Sequence, residues 1–389
     1  PGESLPRWTF ALYWRRDGKP VWKDEALIAR EAAATPATVE GAGALAAGIA
    51  ERLGLEPEAA IPAYEDPAHW VLKEADLPAN VDALDSKLED AEARARIARV
   101  FERGLTQPSG FVLPVQRWNA APGKSNWMTE KWRLRREKLF LVPGDSPVGY
   151  RLPLSSLPYV LPAAYPYVVD ADPVTAPADL PDPQDIDGRL AQRISVERER
   201  EPERAEQIEQ VLTEDASVRT ALAVEPRDGR LCVFMPPTER LEDYLELLAA
   251  TEAAAKDLGL TVHVEGYAPP ADPRLNVIKV TPDPGVIEVN VHPAASWREC
   301  VAITQGLYEE ARQARLGTEK FMLDGRHTGT GGGNHVVVGG AKPADSPFLR
   351  RPDLLKSLVL YWQRHPSLSY LFSGLFIGPT SQAPRVDEA

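Results

Sequence analysis

The sequence predicts an α+β protein: a mainly antiparallel sheet with helices packed on one face, preceded by a mixed α/β domain. Three observations carry this. Between 219 and 340, short β-favouring runs alternate with turn residues, and two of them flank Asp228-Gly229, a strong hairpin signal. Residues 240–259 and 296–317 place apolar side chains at helical spacing. From 161 to 190, Pro162, Pro166, Pro173, Pro177, Pro181 and Pro183 stand among aspartates, a composition expected to leave a linker with no packed element. The expected division is a mixed N-terminal domain over 1–160, a Pro/Asp-rich linker and charged helix entry over 161–217, and a core over 218–389.

Each element has its own signal. "WTFALYW" (8–14) is aromatic and β-favouring and meets a turn at Asp17-Gly18. The Ala-rich stretch 24–54, closed by Gly54, predicts one helix. Residues 91–104 form an amphipathic pattern with Gly104 as the stop. From 110 to 160, "FVLPVQRW", "WRLRREKLFLV" and "GYRLPL" read as strands. "ERERE" (197–201) reads as a solvated helix entry. Residues 220–226 and 230–236 are the hairpin strands. A helix over 240–259 carries Leu241, Leu245 and Leu248 on one face, with Gly259 as its cap. "LTVHVEGY", "NVIKVTP" and "GVIEVNVHP" follow as strands, and a helix over 296–317 takes Ser296 as N-cap. A Gly-rich loop and strand (327–340) precede a last helix near 351–364.

Length and charge limit the function classes. The 389 residues suffice for two or three domains. Forty-four Lys+Arg against 57 Asp+Glu leave a net charge of −13, which argues against nucleic acid or an anionic membrane as main partner. No apolar run approaches the roughly 20 residues a membrane helix needs. Cys232 and Cys300 alone make no disulfide framework, and no basic-then-apolar leader is visible, so a reducing, cytoplasmic compartment is expected. The chain opens at Pro1 and stops in "PRVDEA", and reads as a piece of a longer protein.

Two segments stand out chemically. On strand 286–292, Glu288, Asn290 and His292 fall at i, i+2 and i+4 and share a face, with Ile287, Val289 and Val291 expected to be buried on the other. A carboxylate, an amide and an imidazole in line suit a metal or polar-ligand site, and a solvated outer face is the other reading. In "GRHTGTGGGNHVVVGG" (325–340), Gly329, Gly331, Gly332 and Gly333 let backbone amides approach an anion, and His335 opens an apolar strand. No Gly-Lys-Ser/Thr closes that loop, and Asn334 stands where a dinucleotide fingerprint needs its last glycine. Ala223, Glu225 and Arg227 share a face of the first hairpin strand, where a surface pair is the plainer reading. His263 and Glu265 do so with a weaker claim. Cys232 and Cys300 lie in apolar settings and read as core thiols; His69 and His365 read as structural.

"VEPRDGRLCVFMPP", "TPDPGVIEVNVHPAASW", "TEKFMLDGRHTGTGGGNH" and "LSYLFSGLFIGPTSQAPRVDEA" together resemble the bacterial putative amidoligase family. "AYEDP", "NVDALDSKLED" and "LFLVPGDSPVGYRLPL" extend the resemblance over nearly the whole chain. The family is similar to the glutamine-synthetase-like carboxylate–amine ligases and is often fused to, or encoded beside, transglutaminase-like proteins. The resemblance therefore implies ATP and Mg²⁺ as cofactors, and peptide or small carboxylate and amine substrates. It also implies a transglutaminase-like or peptidase domain as a partner. By that similarity Glu225, Glu288 and His335 are metal candidates. His335, Asn334 and the Gly329–Gly333 amides would hold phosphate. Arg227, Asn290, His292, Arg326 and His327 are the catalytic candidates.

This chain departs from the pattern at Val337, where a second histidine is expected, and at Pro226-Arg227, where a second acid often follows. Further arginines and acids of a ligase cup are expected beyond Ala389. Two alternatives stay open: a transglutaminase-type acyl transferase, and a non-catalytic peptide-binding module that keeps the ligase fold.

Overall fold

In a computed structural model of the chain, the described residues are 9–30, 37–75, 91–118, 126–157, 177–198, 218–283, 286–317, 320–321, 323–325, 327–328, 337–340 and 343–368. In chain order the elements are β1 (Phe10–Arg15), α1 (Val39–Arg52), β2 (Ile61–Tyr64), α2 (Pro67–Ala75), α3 (Ala91–Arg103), β3 (Gly110–Pro114), β4 (Gln116–Trp118), β5 (Asn126–Met128) and β6 (Leu139–Phe140). Next come α4 (Pro183–Arg198), β7 (Ala221–Arg227), β8 (Arg230–Met235), α5 (Leu241–Leu258), β9 (Val262–Gly266), β10 (Leu275–Asp283) and β11 (Val286–Asn290). The last are α6 (Trp297–Gln313), β12 (Lys320–Phe321), β13 (His327–Thr328), α7 (Pro347–Arg350) and α8 (Pro352–Arg364). The fold is α+β, with mixed and antiparallel sheets.

Two compact units divide the chain: residues 15–274, and residues 1–14 with 275–389. The first is built on a six-stranded sheet of order β6-β2-β3-β7-β8-β9. Residues from either side of the Pro/Asp-rich stretch thus share one sheet, because β3 pairs antiparallel with β7. The hairpin forms at the predicted turn, with Asp228 and Gly229 both at positive φ (51° and 74°). β8 and β9 pair in parallel, a geometry that needs a long crossover, and α5 supplies it.

The two faces of this sheet are covered differently. Ala-rich α1 lies against β3 and β7 and packs on α5, which in turn packs on α4. On the opposite face, Val112, Ala221, Ala223 and Phe234 meet Trp132, Leu139, Leu141, Val148 and Leu152 from irregular segments. That cover includes a 3-10 turn, Val148–Arg151, where "GYRLPL" had predicted a strand. Strand propensity loses there because the turn must fold back so that its side chains reach the sheet.

Two other expectations are corrected. Residues 24–54 are not one helix: a 3-10 turn occupies Glu25–Leu27, and α1 starts at Val39 because the Thr38 side chain caps Gly41 N–H. Part of the Pro/Asp-rich stretch is a packed helix, α4, with Ile186 and Leu190 buried. Pro183 opens it where a missing N–H costs nothing, and Asp182 accepts from Gln184 N–H at 3.0 Å. Lys19 and Lys23 hold it through Asp182 (2.8 Å) and Asp187 (2.5 Å).

Helix α5 is buried nearly all round and brings carboxylates inside, among them the neighbouring Asp243 and Glu246. Arg117 serves both, with Nε 3.4 Å from Asp243 and Nη1 donating to Glu246 at 3.0 Å, while its guanidinium lies 5.1 Å from the Trp127 ring centroid. Burial pushes the Asp243 carboxyl up to about 6 from its ordinary 3.8, against the pull of Arg117. The folded state therefore holds a proton that the unfolded chain releases between those values, and stability falls as pH rises through that window. The contribution is about 3 kcal/mol. Urea midpoints at pH 4 and pH 7 are expected to differ less in Asp243→Asn than in the parent.

The second unit holds a three-stranded sheet, β1-β10-β11, with α6 capped by Ser296 as expected. Among the described residues none of this unit is buried. Ile287 and Val291, expected on a buried face, are exposed, because no described layer packs against them.

Candidate functional site

Glu225 sits on β7 in the middle of the six-stranded sheet, on the face covered by the Val148–Arg151 turn. Its Oε1 accepts from Val148 N–H at 3.0 Å and from Arg227 Nη1 at 2.7 Å. Arg227 comes from the same face two residues on, and its other terminal nitrogen is ion-paired with Glu265 of β9. One guanidinium thus bridges two carboxylates from strands separated by β8. Glu265 Oε1 is buried and has no hydrogen-bond partner among the described residues. Burial raises the Glu225 carboxyl above the usual range, with the Glu265 charge adding to it, against the Val148 amide and Arg227.

A second carboxylate supports the first. Glu65, just after β2 and buried, accepts from Arg151 Nη1 (3.0 Å), Trp70 Nε1 (2.9 Å) and Ser109 Oγ (3.1 Å). Burial alone would push its carboxyl up, but the Arg151 bonds and charge hold it below the usual range. Arg151 Nε also donates to Val142 O at 2.8 Å, so Glu65 anchors the turn whose Val148 amide reaches Glu225. Glu65 and Arg151 lie inside "AYEDP" and "GYRLPL", two segments that carried the family resemblance. Nothing in their spacing links them.

Cys232 pairs directly across from Glu225 on one side and His263 on the other. A thiol–imidazole pairing is what acyl transfer through cysteine would require. The thiol is buried, however, and burial pushes it up to about 11, the wrong direction for a nucleophile.

The remaining candidates lie in the second unit. Asn290 Nδ2 donates to Glu288 Oε1 at 2.8 Å, and both are exposed on β11. His292 lies beyond the strand's end, with its ring edge-on to Trp14 at 4.8 Å and a buried Nδ1 that has no partner among the described residues. His327 is described through its backbone, which pairs with Phe321. Arg326, Gly329, Gly331, Gly332, Gly333, Asn334 and His335 lie outside the described residues. Among the described residues, no three His, Cys, Asp or Glu side chains form a group that could hold a metal.

A family model described as "Putative amidoligase enzyme" matches residues 1–389. No curated protein and no solved structure matches the chain.

Proposed function

Since the chain belongs to the putative amidoligase enzyme family, we propose that it is an ATP- and Mg²⁺-dependent carboxylate–amine ligase that forms an amide or isopeptide bond. In this reading a substrate carboxylate is phosphorylated by ATP, and an amine displaces phosphate from the resulting acyl phosphate. The observation that carries it is the Glu225–Arg227–Glu265 group, two carboxylates and a guanidinium held on one sheet face.

The donor set fits Mg²⁺, which takes one or two carboxylates and leaves the rest of its shell to water and phosphate. The partnerless Glu265 Oε1 and the desolvated Glu225 are acceptors a cation would satisfy. When bound, the ion neutralises charge on the phosphoryl group. Arg227 steadies the same negative charge, and the Val148 amide keeps the Glu225 carboxylate oriented. The 3-10 turn over this face limits water around the group. By resemblance alone, Glu288 and His335 are proposed as metal ligands and the glycine loop as a source of amides for phosphate. A transglutaminase-like or peptidase domain, fused or encoded nearby, is the expected companion.

Calorimetry of Mg-ATP binding tests this. Glu225→Gln and, separately, Glu288→Gln are expected to weaken binding at least about tenfold, with melting temperatures within a few degrees of the parent. In Glu225→Gln the amide oxygen still accepts from Val148, and burial already disfavours the charge it removes. Undiminished nucleotide affinity in both variants would refute the assignment.

A further inference from the structure

Two Gly–Tyr dipeptides from distant parts of the chain, Gly149-Tyr150 and Gly266-Tyr267, converge on the buried ring of Phe234. In each, the glycine makes the approach possible. A Cβ on Gly149 would stand 2.0 Å from Phe234 Cδ1, and one on Gly266, at φ +100°, would stand 2.7 Å from the Met235 backbone and 3.0 Å from Phe234 Cγ. The tyrosines that follow turn outward. Tyr150 and Tyr267 are 58% and 46% exposed, although each ring packs edge-on to Phe234, at 4.7 Å and 6.0 Å between centroids. Their own centroids are 6.0 Å apart with planes inclined at 58°. Exposed aromatic rings held by a buried third ring form a preorganised surface, with little side-chain freedom left to lose on binding.

Its position relates it to the charged group. Phe234 is the register partner of Glu265, and Tyr267 lies two residues beyond Glu265. Tyr150 is two residues from Val148, whose amide holds Glu225.

We infer that Tyr150 and Tyr267 form a stacking platform for the purine base of the nucleotide. This rests on the ligase reading, in which the carboxylate and guanidinium group takes the phosphate end and the base is the planar apolar part left to place. Stacking on an aromatic side chain is favourable and needs no hydrogen-bond code.

The test compares Mg-ATP with Mg-tripolyphosphate, which keeps the charge and lacks the base, on the full chain by calorimetry. Tyr150→Ala with Tyr267→Ala is expected to weaken Mg-ATP by roughly 10- to 100-fold and to leave Mg-tripolyphosphate unchanged. Tyr150→Phe with Tyr267→Phe should restore Mg-ATP affinity. If the parent binds both ligands equally, or the Ala pair weakens both alike or neither, the platform is overturned while the ligase reading stands. If the parent binds neither ligand, both ideas fall together.

Discussion

Replacing Glu65 by Ala is expected to cost about 3–5 kcal/mol of folding stability, a large part of the 5–15 kcal/mol typical of a domain. The mutation strands Arg151, which is 8% exposed, as an uncompensated charge inside the protein, and it removes acceptors from Trp70 and Ser109. The damage also extends past the pair, because Arg151 ends the turn that positions Val148 N–H on Glu225. Urea unfolding checks the magnitude. Glu65→Leu combined with Arg151→Met should recover most of the loss, since an apolar pair of similar volume leaves no charge buried. A cost below about 1 kcal/mol for Glu65→Ala would mean that the pair is hydrated in solution.

Gly149→Ala is expected to destabilise by about 1–3 kcal/mol or more. The added methyl would overlap Phe234, which lies in the core cluster beneath the turn, so either the ring or the turn must shift. Near-UV circular dichroism should change as the Tyr150–Phe234 contact is lost, alongside a fall in melting temperature. Gly188→Ala is the matching control. Gly188 lies in α4 with nothing within 4 Å of an added Cβ, and alanine there should be neutral or stabilising by about 0.5–1 kcal/mol. Equal effects at the two positions would contradict the packing described for Phe234.

Local signals are legible where the cause is local. The Asp228-Gly229 hairpin, the Gly259 stop of α5, the Ser296 cap of α6 and the Gly104 end of α3 are each decided within a few residues. Helix α4 is missed because a run of prolines reads as a breaker, although Pro183 occupies a first-turn position where it does no harm. The "GYRLPL" turn is missed because apolar residues there serve packing from above the sheet rather than membership of it.

The candidate site divides in the same way. That Glu225 and Arg227 share a face follows from the two-residue period of a strand. That Glu265 completes the group does not, since β9 reaches the far side of β8 only after the α5 crossover. Likewise Glu65 and Arg151 are 86 residues apart and meet through the stacking of β2 beneath a turn, which no spacing encodes. Composition, turn chemistry and motif resemblance by themselves determined the α+β class, the ends of α3, α5 and α8, and the family. Only the tertiary structure decided that β3 joins β7, that Arg227 bridges two acids and that two Gly–Tyr pairs frame Phe234. Those outcomes depend on burial and on contacts between segments far apart in the chain, and such contacts arise only when the whole sheet assembles.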